Sequence, residues 1–362
     1  MAIRRRLPGG IAGRPTPQVG DRVLVRRRLP DTPGHLTDVI GHVASLKPLV
    51  ILPQSVGGLR SAATAITIDH HLVEVIKVLA PQPVRNADIR AVEQATAQAF
   101  PGIAHRRVGD WLLRAGDGIT ERSNSSVPVG PGAAFQPVPI AAIREFYATH
   151  QLPPRLLIPD RIGAPAEVLI STEPGWELGP DIVVMTRPLQ APNPGRDYSA
   201  LHYPDQDTNP LPAAHHAALA ERYTVHIDDQ PSSQWLALYH FRGQPLPTHA
   251  LDLLRQHING QMCFASLIDR HSNEVVAITR GTITASDDGR TWLGYSAVEV
   301  IPHARRQGLG TYLGQAMLEW GATHNAEHAL LQVVSSNTAG ISLYRRLGFA
   351  EHHRHRCAIA TS

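Results

Sequence analysis

Apolar and polar residues alternate over short runs in the first third of the chain. From Gly20 onward, Asp21–Arg26, Asp38–Val43, Leu49–Leu52 and Leu72–Val78 read as strands. Gly/Pro turns at Pro30 to Gly34 and at Gly57-Gly58 separate them. Residues 17–80 therefore predict a small all-β module, closed off by Pro81-Gln82-Pro83. Longer periods follow over residues 86–190. Ile89, Val92, Ala95 and Phe100 make a helical stripe. Trp111–Arg114 and Glu121–Val127 read as strands joined at Gly116-Asp117-Gly118. A helix from Ile140 to His150, a strand at Leu156–Ile158 and another at Asp181–Met185 complete this segment. Residues 191–219 hold Pro, Asn, Asp and His without periodicity and read as a linker. Residues 220–362 return to order. Helices are predicted at Trp235–Tyr239 and Leu251–Ile258, and strands at Met262–Ile268, Val275–Ile283, Thr291–Val300 and Ala329–Val334. A last strand is predicted near Arg356 to Ala360.

Chemistry enters where the strand ending at Val300 meets Ile301-Pro302. A short basic loop, Arg305-Arg306-Gln307, leads into Gly308-Leu309-Gly310-Thr311. A helix then begins, with Tyr312, Leu313, Ala316, Met317 and Trp320 on one stripe. Such a junction aims backbone N–H groups and the positive end of a helix dipole at one point, which suits a pyrophosphate. Gly308 and Gly310 are expected to remove Cβ atoms that would keep a phosphate off the backbone.

A second block lies downstream. After the strand ending at Val334 comes Asn337-Thr338-Ala339-Gly340-Ile341-Ser342-Leu343-Tyr344, then Leu347-Gly348-Phe349. On a helix, Asn337 and Tyr344 stand two turns apart on one face. Together the two blocks resemble the GNAT acyl-CoA N-acyltransferase superfamily. Arg305-x-x-Gly308-x-Gly310 matches its pyrophosphate loop, and the second block its Asn-x-x-Ala-x-x-Leu-Tyr helix, except that Gly340 stands where Ala is usual. The resemblance implies an α/β (α+β) GNAT fold over 220–362, preceded by a degenerate GNAT-like half at 86–190 and an SH3-like β-barrel at 17–80. That arrangement resembles an actinobacterial subgroup sometimes labelled histone acetyltransferase.

The resemblance also implies roles. Acetyl-CoA would be the co-substrate, with its pyrophosphate on the amides of Gln307, Gly308, Leu309, Gly310 and Thr311 and charge added by Arg305 and Arg306. Backbone groups of Val298 and Val300 would meet the pantetheine, with the Val298 N–H polarising the thioester carbonyl. Asn337 would bond the pantetheine arm, although Asn also suits a helix N-cap, and both readings stand. Tyr344 would be the general acid. Glu299 is the nearest acidic group to the thioester strand, and strand alternation points it away from Val298 and Val300. It could serve as base, sit in a surface ion pair, or yield that task to a water relay.

Composition narrows the setting. The formal net charge is +3, but eight arginines crowd the first 28 residues, so residues 1–16 read as a basic mobile arm able to meet nucleic acid or an acidic protein. Cys263 and Cys357 form no spaced motif and suit a reducing, cytoplasmic setting. No apolar run reaches membrane-spanning length. Arg122 to Ser125 could line an acceptor cleft or only brace the two halves. His353 and His355 share a strand face, yet no third ligand stands at fixed spacing, so Glu351 to His355 reads as an exposed hairpin and no metal is expected. The acceptor is expected to be an amine, either a basic protein or a small molecule. A CoA-sensing or nucleic-acid-associated module without turnover is the alternative reading, against which Tyr344 speaks.

Overall fold

The computed structural model describes residues 16–29, 32, 34–54, 64–79, 84–189, 211–241, 244–245 and 248–361. The expected turns at Pro30 and Gly57, the Pro81 closure and all of the basic arm but Thr16 lie outside these. The chain forms two compact units, divided after Val84.

The first unit is one antiparallel sheet of β1 (Arg22–Arg28), β2 (Leu36–Leu46), β3 (Leu49–Pro53), β4 (Ile66–Ile68) and β5 (Val73–Val78). Their order is β4-β3-β2-β1-β5. Val23, Val25, Val39, Val43, Ile51 and Ile68 form its core, as alternation requires. β4 and β5 do not pair among the described residues, so the sheet stays open where a closed barrel was expected.

The second unit begins with α1 (Asn86–Ala99), β6 (Ala104–Val108), β7 (Trp111–Ala115) and β8 (Val127–Pro128). It continues through α2 (Ile140–Thr149), β9 (Arg155–Pro159), α3 (Ala164–Thr172), β10 (Trp176–Leu178) and β11 (Ile182–Pro188). The hairpin expected after Trp111 forms only in part. β7 pairs with β6 along its length and with the short β8 at Trp111 and Leu112, while residues 121–126 form a loop before β8. Asn124 is the reason. Its Oδ1 accepts from the N–H groups of Gly116 and Gly118, at 2.7 and 3.1 Å, and folds the segment into a knot of turns.

Then follow α4 (Ala213–Arg222), β12 (Tyr223–Asp228), α5 (Ser233–Leu238), the short pair β13 (His240–Phe241) and β14 (Gln244–Pro245), and α6 (Thr248–His257). The expected linker thus ends early, since α4 already occupies its last residues. The chain continues with β15 (Gln261–Asp269), β16 (Val275–Ala285), β17 (Thr291–Val300), α7 (Leu309–Thr323), β18 (His328–Val334), α8 (Thr338–Arg346) and β19 (Ala350–Ala360).

One nine-stranded sheet unites these elements in the order β10-β19-β11-β18-β17-β16-β15-β12, with β9 also on β19. Residues 220–362 are therefore not complete alone, contrary to the expectation. β11, from the middle segment, lies between β18 and β19. The start of β19 pairs with β11, and its end pairs with β9 and β10. α7 covers one face, burying Leu309, Leu313 and Met317 against Leu293 and Leu331. Each such side chain contributes about 1.5–3 kcal/mol of transfer free energy. On the other face α1 lays Ala91, Val92 and Ala95 on Val184, Trp292 and Leu330. Trp235, Leu251 and Leu254 cover Phe264 and Ile278 beside it.

Candidate functional site

The site is an opening in the sheet. β17 and β18 pair in parallel only over Trp292–Gly294, opposite His328–Leu330. Beyond Gly294 their ladder stops. On its other edge β17 carries a bulge. Arg280 faces Ser296 and Ile278 faces Glu299, so Thr279 alone opposes Ala297 and Val298. Ala297 takes φ +56°, a left-handed conformation that β-bulges use. The extra residue re-aims the last turn of the strand's pleat. Val298 and Val300 pack toward the α7 core, whereas Ala297 packs on the opposite cluster with Phe100 and Ile278.

Glu299 is half-buried between these neighbours. Burial raises its carboxyl above the ordinary range, against the pull of Arg305 and His240. A raised carboxyl is a better proton acceptor. Tyr344, on α8, meets Tyr295 edge-on at 5.9 Å between ring centroids and Phe349 at 6.3 Å. Burial, then the Glu299 charge, push its phenol up to about 12, so it holds its proton at neutral pH.

The loop after β17 closes the end of the opening. Arg305 Nε donates to the Val300 carbonyl at 2.9 Å and pins the loop to the strand. Gly308 caps α7 at φ +81°. Among the described residues, the N–H groups of Gln307, Gly308, Leu309 and Gly310 have no hydrogen-bond acceptor, the state a phosphate-binding helix start requires. Leu309 and Thr311 turn their side chains into the interior, while Arg305, Arg306 and Gln307 are exposed. The two glycines also meet close neighbours within the protein. A Cβ on Gly308 would meet Leu211 at 2.9 Å and His215 at 3.0 Å, and one on Gly310 would meet Leu343 at 3.3 Å. Gly308 serves the left-handed turn beneath α4, and Gly310 serves the approach of α8. His215 Nε2 lies 3.1 Å from the Gln307 carbonyl oxygen, so a helix within the expected linker braces this loop.

Asn337 is the N-cap of α8, its Oδ1 accepting from the Gly340 N–H at 2.9 Å. Its Nδ2 has no acceptor among the described residues, so the cap leaves the donor side of the amide free. Gly340 is involved as well, because a Cβ there would stand 2.8 Å from Asn337 Nδ2.

Two clusters are not legible in the pattern. Glu351 to His355 is no exposed hairpin. It is the start of β19, and His353 and His355 are buried against a buried Glu93 of α1. Glu93 Oε1 takes His353 Nε2 at 2.8 Å and His355 Nδ1 at 3.0 Å. Burial alone would raise the Glu93 carboxyl, but the His355 charge and both hydrogen bonds outweigh it and hold the group far below its ordinary range. These three residues could share a metal ion. The Glu93 oxygen stands at hydrogen-bond length from each imidazole nitrogen, whereas tetrahedral zinc ligands stand roughly 3.3 Å apart. The other cluster is cationic. Arg280 of β16 is fully buried, and among the described residues only its Nε is bonded, to Ser296 Oγ at 3.2 Å. A lone arginine in the apolar run Val275 to Ala285 was the available signal. Of the Arg122 to Ser125 stretch, Ser125 bonds the buried Arg114, and Arg122 stacks on Phe100.

No helix among the described residues is long and apolar enough to cross a membrane. A family model described as "Probable histone acetyltransferase Rv0428c C-terminal" matches residues 86–358, and "Rv0428c N-terminal Sm-like domain" matches residues 17–62. The chain is 32% identical over 348 residues to the "Probable histone acetyltransferase Rv0428c" of Mycobacterium tuberculosis, covering 96% of this chain and 97% of the relative. It is 25% identical over 276 residues to the "Uncharacterized N-acetyltransferase YobR" of Bacillus subtilis, covering 74% of this chain and 97% of that one. A solved GCN5-related N-acetyltransferase from Kribbella flavida shares the fold at TM-score 0.50 and 16% identity, over 75% of this chain and 95% of that chain.

Proposed function

Because this chain belongs to the Rv0428c-type family of GNAT N-acetyltransferases, we propose that it transfers an acetyl group from acetyl-CoA to a primary amine by direct attack in a ternary complex. The observation that carries this reading is the opening between β17 and β18, where unpaired amides, a bulged strand and a protonated phenol meet.

Bound acetyl-CoA would supply an activated acyl carbon as a thioester. The residues at hand fit it. The amides of Gln307 to Gly310 and the start of α7 hold the pyrophosphate, with Arg305 and Arg306 adding charge from the rim. The side-chain amide of Asn337 and the backbone of Val298 and Val300 orient the pantetheine arm. The Val298 N–H lies on the bulge and serves as the donor that polarises the acyl carbonyl. Glu299 takes the proton that the attacking amine loses, directly or through one water. Tyr344 gives its proton to the departing sulfur, and a phenol near 12 is matched to arrive there protonated.

The test is thiol release from acetyl-CoA over a panel of amines and basic peptides, with mass analysis of the product amide. Release that is saturable in amine and yields an N-acetyl product supports the reading. Acetyl-CoA binding without release for any amine favours a sensor and overturns it.

A further inference from the structure

The face of the sheet away from α7 holds two cations that no described carboxylate neutralises by an ion pair. Arg280 is 0% exposed, and its Nη1 and Nη2 have no hydrogen-bond partner. The guanidinium of Arg122 lies 4.1 Å from the centroid of the Phe100 ring, and that of Arg280 lies 4.9 Å from the same centroid. Tyr239 and Cys263 are the groups that attract Arg280, and burial pushes the Cys263 thiol up to about 12, so it brings no charge to the guanidinium at neutral pH. Glu121 attracts Arg122 alone. Stacking on one ring recovers less than burying an unpaired charge costs. A fold that keeps such a pair is prepared for an anion it does not itself supply.

The location says which anion. Arg280 Nε is tied to Ser296, the residue before the bulge that re-aims β17. Tyr239 shares a packed cluster with Phe100 and Ala297 and attracts both arginines, and the next residue, His240, attracts Glu299. The two guanidinium groups therefore share the acceptor side of the opening with the proposed base.

We infer that the acceptor is a small amine that also carries an oxyanion, and that Arg280 and Arg122 bind this oxyanion while the amine faces Glu299. This rests on the acyl-transfer reading above and names its substrate class. A lysine in a basic tail is the acceptor this pocket disfavours, because it would bring further positive charge to two unneutralised arginines.

The experiment uses the full chain and matched acceptors: α- and ω-amino acids, their carboxamides, aminoalkyl phosphates and a lysine-rich peptide. The expected result is that an oxyanion-bearing amine exceeds its neutral analogue in kcat/KM. Arg280→Met should abolish that preference, lowering the value for the anionic acceptor by roughly 10- to 100-fold while sparing the neutral one. Arg122→Gln, at the half-buried rim, gives the same direction with less risk to folding. Carboxylate against phosphate acceptors distinguishes the two oxyanion sources.

A second readout is independent of turnover. Arg280→Met should raise the melting temperature, because it removes a buried unpaired charge. The preferred anionic amine should stabilise wild type but not this variant. If the lysine-rich peptide is the better acceptor, or the carboxamides equal the acids, the inference is overturned while the acyltransferase stands. If no amine releases thiol, the reading above fails, and the anion inference is then judged by the melting shifts alone. Absence of those shifts overturns it.

Discussion

Two strand-to-helix junctions in this molecule use their backbone amides in opposite ways. After β9, Asp160, Ile162, Gly163 and Ala164 all donate, to Arg354, Asp160, Pro159 and Arg161 carbonyls, at 2.8, 2.7, 2.8 and 3.3 Å. After β17, the amides of Gln307 to Gly310 donate to nothing among the described residues. Both turns contain glycine and both lead into a helix. The difference lies in whether the donors are already satisfied. A tight turn closes on itself and leaves no charge-seeking surface. A longer loop, pinned by Arg305 to Val300 and braced by His215, keeps its donors pointing outward. Glycine content alone thus says little about phosphate binding.

The sharpest break in this comparison is expected at Tyr344. Tyr344→Phe should lower turnover by about 100- to 10,000-fold, the usual cost of losing a general acid. Acetyl-CoA affinity should be unchanged. Steady-state kinetics beside calorimetric titration separates the two, and full turnover in the variant under chemistry-limited conditions would reduce Tyr344 to packing.

Gly308→Glu should weaken acetyl-CoA binding on the order of 100-fold or more, because a carboxylate beside the pyrophosphate costs several kcal/mol. The variant must still show a wild-type circular dichroism spectrum. The same titration of wild type should give one acetyl-CoA per chain. A value of two would mean that the β9 junction also binds, and the contrast between the junctions would be wrong.

Glu93→Gln should destabilise the second unit by about 3–5 kcal/mol, since it leaves two buried imidazoles without their anion. The depressed carboxyl sets the sign with pH. Its stabilisation is fully present above the unfolded value near 4.5 and is lost as pH falls toward the lower folded value. Chemical denaturation from pH 7 to pH 3 should therefore show wild type and variant converging in acid. Parallel curves would mean that the cluster is not ionised as described.

The smallest effect is expected from deleting residues 1–80. The first unit has its own core, and every residue named at the opening belongs to the second. Turnover on a small amine should stay within about twofold, inside the range of surface changes. Collapse of that activity in a folded truncation would bring the first unit into catalysis.

What the sequence revealed was local. Arg305 to Gly310 and Asn337 to Tyr344 are contiguous blocks, so a family resemblance could be read from them. The covering of the loop by His215 could not be read, because it joins residues far apart in sequence. β4, at three residues, is too short for alternation to show, and β6 reads Ala-His-Arg-Arg-Val with no apolar alternation. The stretch from Glu121 to Ser126 was expected to be a strand but is all polar and was captured by Asn124, a side chain that competes with the ladder for backbone donors. His353 and His355 looked solvent-facing because their anion sits on α1. Arg280 was visible only as an exception in an apolar strand, and exceptions of that kind mark positions where function overrides packing.

The shared strand β19 has a consequence for biosynthesis. β9, β10 and β11 leave the ribosome long before the residues that pair with them, and β11 waits for both β18 and β19. Until then a nascent chain carries several unpaired strand edges, the surfaces most prone to join with other chains. Pairing so distant in sequence makes sheet closure a late and slow event. A chain cut just before Ala350 should therefore lose more than a peripheral strand. It should accumulate as an aggregation-prone species held by chaperones, with both halves of the sheet still open.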